Sequence, residues 1–114
     1  MHIDYKNINI YLKPGRTDFR KQINGLSLII QDEIKKDVFK GDLFIFCNKT
    51  RNRMKILYWD KNGFALWFKR LEKDKFPWPK NSDEVKEIKY EELKMLLSGI
   101  DFFNSHQKIF FEEI

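Results

Sequence analysis

The dipeptide Asn62-Gly63 stands between two runs of large apolar residues, Ile56-Leu57-Tyr58-Trp59 and Phe64-Ala65-Leu66-Trp67-Phe68. Asn and Gly tolerate the positive φ angles of a tight type I′ turn, whose twist matches that of paired strands, so the two runs are predicted to fold back on each other as a β-hairpin. Asp42–Cys47, one turn earlier, has the same β-branched and aromatic make-up. Three consecutive strands, at 42–47, 54–60 and 64–70, therefore read as a meander. In the first of them Leu43 and Ile45 alternate with Phe44 and Phe46. Both faces of the meander thus carry large side chains, and the sheet must be covered on both sides or strongly curved.

The flanking segments supply the covering elements. Ile8, Ile10 and Leu12 have the two-residue period of a strand, and Pro14-Gly15 turns the chain after it. Leu26, Ile29, Ile30 and Ile34 recur at spacings of three and four, the stripe of an amphipathic helix, with Asn24 or Thr17 as candidate caps. The stretch from Thr17 to Ile23 is either the first turns of that helix or a separate short element, and Gly25 favours the second. Phe76-Pro77-Trp78-Pro79 cannot continue a central strand, because proline has no backbone donor, and reads as an extended crossover that pins aromatic rings on the sheet. A second helix is expected over Tyr90–Ser98, with Leu93, Leu96 and Leu97 as its apolar stripe, Glu91 and Glu92 in its first turn, and Gly99 as a left-handed cap that Ile100 packs behind. Lys108–Phe111 is an extra edge strand or a partner-dependent tail. With 114 residues, 42% of them hydrophobic and 16% aromatic, the chain is long enough for one independent core. The expectation is a single α+β domain over 1–114, core 8–101 and tail 102–114: a curved antiparallel meander of four to five strands with two helices.

Several function classes are disfavoured. No stretch approaches the ~20 apolar residues of a bilayer-spanning helix, and Met1–Lys6 lacks the apolar region of a signal peptide, so a soluble, cytoplasmic protein without membrane partners is expected. One cysteine, Cys47, and two histidines, His2 and His106, give neither a disulfide nor a Cys/His zinc set. Cys47 ends an apolar strand with no histidine beside it and reads as a small buried hydrophobe. The glycines are dispersed singly, so no phosphate loop is present and no cofactor is implied. Asp18, Asp42, Asp60 and Asp101 sit at turns or helix ends, where capping is the ordinary use of aspartate.

Charge is distributed unevenly. Residues 1–40 carry 8 basic and 5 acidic side chains, 41–80 carry 10 and 4, and 81–114 carry 4 and 8. The middle third alone has a net +6, more than the +5 of the whole chain. Such a field concentrates polyanions, of which nucleic acid is the commonest in a cell. Three clusters carry it: Arg16, Arg20 and Lys21 near the first turn; Lys49, Arg51, Arg53 and Lys55 through a loop into a strand; and Lys69, Arg70, Lys73 and Lys75 beyond the hairpin. Arg51, Arg53 and Lys55 alternate, so they are expected on one face at ~7 Å intervals. Trp59, Trp67 and Trp78 are candidates to stack on unpaired bases, although core packing is the commoner use of strand aromatics. A solvated cationic surface that only keeps the domain soluble is the simpler reading of the same residues.

The order of several motifs carries a family resemblance. Thr17-Asp18-Phe19-Arg20-Lys21-Gln22-Ile23-Asn24-Gly25-Leu26, Leu43-Phe44-Ile45-Phe46-Cys47-Asn48, Lys55-Ile56-Leu57-Tyr58-Trp59-Asp60 with Gly63, Lys69-Arg70-Leu71-Glu72, Phe76 with Trp78-Pro79, and Leu96-Leu97-Ser98-Gly99-Ile100-Asp101 follow one another across residues 8 to 101. This pattern resembles the TnpB-type, second-reading-frame accessory proteins of the insertion-sequence-sixty-six transposons. Gln22 stands where that family usually has Gly, and Ser98 where it often has Glu. The resemblance implies a non-catalytic role in moving a bacterial mobile element beside a separate transposase, with transposon-end DNA and that transposase as partners. It places Arg20, Lys21, Arg53, Lys55, Lys69 and Arg70 at motif positions expected to touch DNA. The alternative is a subunit that docks the transposase through its aromatic face and acidic C-terminal third without touching DNA. A metal-dependent nuclease using Asp18, Asp60 or Asp101 is the weaker third reading, because these acids lack convergent spacing.

Overall fold

The computed structural model describes residues 7–80 and 84–99. Its elements in chain order are β1 (Ile10–Leu12), α1 (Ile23–Ile29), β2 (Leu43–Cys47), β3 (Arg53–Asp60), β4 (Gly63–Arg70), β5 (Lys86–Ile88) and α2 (Tyr90–Leu97). The expected hairpin is β3–β4, with Ile56 opposite Trp67 and Trp59 opposite Phe64. Its turn lies one residue earlier than expected. Asp60 and Gly63 form the last pair, Lys61 and Asn62 link the strands, and the left-handed residue is Lys61 at φ +56. Gly63 is a strand residue around which an added Cβ would meet nothing within 4 Å. The register so formed sets Ile56 opposite Trp67 and Leu57 opposite Leu66, whereas a turn at Asn62-Gly63 would set Ile56 opposite Lys69, so apolar cross-strand pairing favours the earlier turn.

The five strands form an open sheet in the order β4-β3-β2-β1-β5. Strands β2, β3 and β4 are the antiparallel meander read from the sequence. Strand β1 departs from it, because it pairs parallel to β2, with Tyr11 opposite Phe44, and antiparallel to β5, with Tyr11 opposite Glu87. The sheet is therefore mixed. Some thirty residues including α1 link β1 to β2, the kind of crossover a parallel pair requires. β5 was not anticipated, and the edge strand considered at 108–111 lies outside the described residues, as do the tail at 102–114 and the contact expected of Ile100.

Both faces of the sheet are covered. Ile10, Leu12, Leu43, Ile45, Cys47, Met54 and Ile56 pack with Phe76, Trp78, Ile88, Leu93 and Leu96 on the α2 side. Tyr11, Phe44, Phe46 and Leu57 pack with Leu26, Ile29, Ile30 and Val38 on the α1 side. The alternation within β1 and β2 is what splits their residues between the two clusters. The aromatic crossover behaves as expected, with Phe76 and Trp78 buried. Helix α1 begins at Ile23, contains Gly25, has Gln22 as its N-cap without a side-chain bond, and widens into a π-helical turn over Ile30–Ile34 that ends at left-handed Lys35. Neither Thr17 nor Asn24 caps it. Helix α2 carries Leu93 and Leu96 into the core, the Glu92 carboxylate accepts from the Lys89 backbone N–H at 2.9 Å, and Gly99 closes it at φ +78.

Candidate nucleic-acid interface

One end of the sheet gathers residues from all three basic clusters. Strand β2 ends there at Cys47, β3 begins at Arg53 and β4 ends at Arg70. Three backbone bonds bring the other segments to it: the N–H of Thr17 donates to Cys47 O (2.8 Å), that of Leu71 to Asn52 O (2.8 Å) and that of Phe76 to Arg51 O (2.6 Å). Arg16, Lys49, Arg51, Arg53, Arg70 and the exposed loop holding Lys73 and Lys75 accordingly share one end. A groove of about 370 Å³ opens here, lined by Gly15, Arg16, Asn48, Lys49, Arg51, Trp78, Pro79 and Lys80. Among these described lining residues stand four cations and no carboxylate.

The groove is held by groups that carry no charge. The Asn48 side-chain oxygen accepts from the N–H groups of Asn52 (3.1 Å) and Arg53 (3.0 Å), while its amide donates to Thr50 Oγ1 (3.1 Å) and Asn52 Oδ1 (2.8 Å). This frame fixes the loop that presents Lys49 and holds Arg51 in the left-handed region, at φ +60. Across the groove the indole N–H of Trp78 is shared between Lys13 O (3.0 Å) and Gly15 O (3.1 Å), and the N–H of Gly15 donates to Pro79 O (2.9 Å). Trp78 thereby positions the turn bearing Arg16 instead of offering a stacking face. Asn48 and Lys80 were not singled out as site residues, and Trp78 was considered only as a stacking ring. Their signal was present only as an Asn at each end of a short loop and a Trp between two prolines.

Other expected site residues do not form the row that alternation suggested. Lys55 is 5% exposed. Its ammonium donates to Phe19 O (3.0 Å) and Lys21 O (2.9 Å) and lies 4.8 Å from the Phe19 ring centroid. Burial pulls its pKa below the ordinary lysine value, while the carbonyls and the ring satisfy the charge. It tethers the segment before α1 to the sheet. Lys69, on the opposite face, donates to Leu97 O at 2.8 Å and caps the C-terminal end of α2. Arg20 is exposed and paired with Asp18 at 2.7 Å, which raises the arginine pKa and holds the carboxylate down at about 2. Arg70 pairs with Glu72 at 2.9 Å. Lys21 is exposed close to the Lys55 tether.

The acids named for a nuclease are not brought together. Asp18 lies near the Arg53 end of the sheet and Asp60 at the other end of β3, about 23 Å away by strand rise. Asp101 lies outside the described residues, among which no group of three His, Cys, Asp or Glu side chains converges. Asp42 has the turn role expected of it, its carboxylate accepting from the Asn9 N–H at 2.9 Å. Cys47 is fully buried, and burial pushes its thiol up to about 12, so it packs as an inert small side chain. Among the described residues no helix is long and apolar enough to cross a membrane.

The family model described as IS66 Orf2 like protein matches residues 8–107. The chain belongs to this TnpB-type family. Two curated relatives from Sinorhizobium fredii (strain NBRC 101917 / NGR234) extend the likeness over nearly the whole length. The uncharacterized protein y4hO is 32% identical over 97 residues, covering 85% of this chain and 84% of its own. The uncharacterized protein y4jC is 31% identical over 103 residues, covering 90% and 88%. No solved structure matches. Membership makes this TnpB-type chain an accessory protein of insertion-sequence transposition. Several of its motif positions have structural uses: Asp18 orients Arg20, Lys55 and Lys69 tether covering segments, Trp78 pins a turn and Gly99 ends a helix.

Proposed function

We propose that this accessory protein binds transposon DNA, alone or within the transposase–DNA complex, through the basic end of its sheet, and that it acts without catalysing a reaction, in the bacterial cytoplasm. The observation that carries the reading is the groove between Arg16, Lys49, Arg51 and Lys80, with Arg53 and Lys73 at the same end. Four cations around one groove repel one another, so holding them there by the Asn48 and Trp78 frames costs stability that a phosphate backbone would return. Guanidinium groups grip phosphate bidentately, and the lysines add point charge.

Titration of duplexes carrying the transposon's terminal repeat, against scrambled duplexes, tests it. Binding that weakens steeply with salt and is abolished by reversing Arg16, Lys49 and Lys80 to Glu supports it. Failure of the unaltered protein to bind either duplex at low salt removes it, and loss of intact plasmid in Mg²⁺ or Mn²⁺ removes the non-catalytic part.

Protein docking has its own supporting observation. Phe39 and Leu28 are each 55% exposed on the α1 side, and Phe39 packs edge-on against Trp59 at 5.1 Å. Such an aromatic patch suits a transposase contact. Under docking alone, the same charge reversals leave transposase pull-down unchanged and no duplex is bound.

A further inference from the structure

On the α1 face the β3–β4 hairpin presents a ladder of directly opposed pairs: Leu57 with Leu66, Lys55 with Phe68, and Arg53 with Arg70. The segment leading into α1 covers the first rung and stops at the second, where the Lys55 ammonium is tied to Phe19 O and Lys21 O. Phe68, on the edge strand just beyond that limit, is left 51% exposed. Beside it lies a hollow of about 330 Å³ lined by Phe19, Gln22, Arg53, Lys55, Leu66 and Phe68. The last rung sets two arginines against each other, an arrangement that destabilises a strand pair. Glu72 relieves part of that on the Arg70 side. A half-exposed phenyl ring at the mouth of a hollow and like charges across a strand pair are both unfavourable in water, and a single kind of ligand relieves both: a flat apolar ring attached to an anion.

We propose that this hollow takes one unpaired nucleobase of a DNA strand, stacked on Phe68, with the neighbouring phosphates on Arg53 and Arg70. The proposal rests on the DNA-binding reading and narrows it to strands with unstacked bases. In a duplex each base is already sandwiched by its neighbours, so a ring on a sheet gains a partner only where the strand is open. The Gln22 amide, exposed at the rim, has a donor and an acceptor to offer a base edge. Positive charge on Arg53 and Arg70 favours a nucleotide over a neutral or basic peptide.

Fluorescence anisotropy with a labelled single-stranded thymidine oligonucleotide, which cannot pair with itself, and with a fully paired duplex tests this. Phe68→Ala should weaken single-strand binding by roughly 5- to 150-fold, the range for one stacked base, and leave duplex binding within about twofold. Phe68→Trp should restore it. Thermal unfolding of both variants checks that the edge strand still folds. If the unaltered protein binds the duplex and Phe68→Ala does not weaken single-strand binding, or weakens both ligands equally, the proposal fails while the DNA-binding reading stands. If it binds neither ligand, that reading fails with it. Loss of transposase capture by Phe68→Ala with unchanged oligonucleotide affinity makes the hollow a protein site and overturns the proposal. A uridine oligonucleotide bound more tightly than the thymidine one overturns its assignment to DNA.

Discussion

Lys55 inverts what its charge suggests, whereas Arg51 keeps to it at a cost to the fold. Lys55 has the sequence context of a phosphate ligand, yet its ammonium is spent on two backbone carbonyls beneath the surface. Replacing it with Met keeps the stem and removes both bonds, and hydrogen bonds to a charged group are worth about 1.5–3 kcal/mol. Lys55→Met should therefore lower stability in urea unfolding by about 2 kcal/mol while leaving the salt dependence of DNA binding unaltered. Arg51 stands in the left-handed region at φ +60, which costs a non-glycine residue on the order of 1 kcal/mol. Arg51→Gly is expected to raise urea stability by roughly that amount and to weaken DNA binding, with the slope of log affinity against log salt reduced by about 1. A residue whose removal stabilises the fold but impairs binding is retained for binding. Alternation told which face Lys55 shares with Arg53. It could not tell that a segment 34 residues away ends over one and not the other.

Among the elements, local ones were legible and distant partnerships were not. The β3–β4 hairpin, its pairing and the two-sided burial of β2 follow from turn chemistry and alternation within short spans. The exact turn residues did not follow, because the register answers to the cross-strand pairs Ile56–Trp67 and Leu57–Leu66 and not to the preferences of Asn62 and Gly63. Helix α2 was readable from Leu93, Leu96 and Gly99, but not its attachment through Lys69, which reaches Leu97 O from β4. That tether satisfies a carbonyl at the negative end of the helix dipole. Lys69→Met should cost about 1 kcal/mol, and amide hydrogen exchange should show the loss of protection concentrated in α2, with duplex affinity unchanged.

At the scale of the whole molecule, the decisive fact is where three stretches of chain meet. Composition placed net positive charge in the middle third. It did not show that Arg16 and Lys80 flank the same groove as Lys49 and Arg51, which depends on the parallel pairing of β1 with β2 and on the Trp78 anchor. If Arg16, Lys49, Arg51, Arg53, Lys73 and Lys80 each displace a counterion, log affinity should fall with log salt at a slope of about −5, measurable by titrating one duplex at several salt concentrations. The family motifs reveal descent more readily than the groove, since many of them are spent on holding segments together.

The position of β1 has a further consequence. It lies inside the sheet, between β2 and β5, although it comes first in chain order among the described strands. The meander can form from neighbouring residues as it is synthesised, but the N-terminal strand must wait for both of its partners, the later of which ends at Ile88. A nascent chain therefore has its cationic loop well before it has the cleft, and becomes competent to grip a polyanion only as β5 arrives.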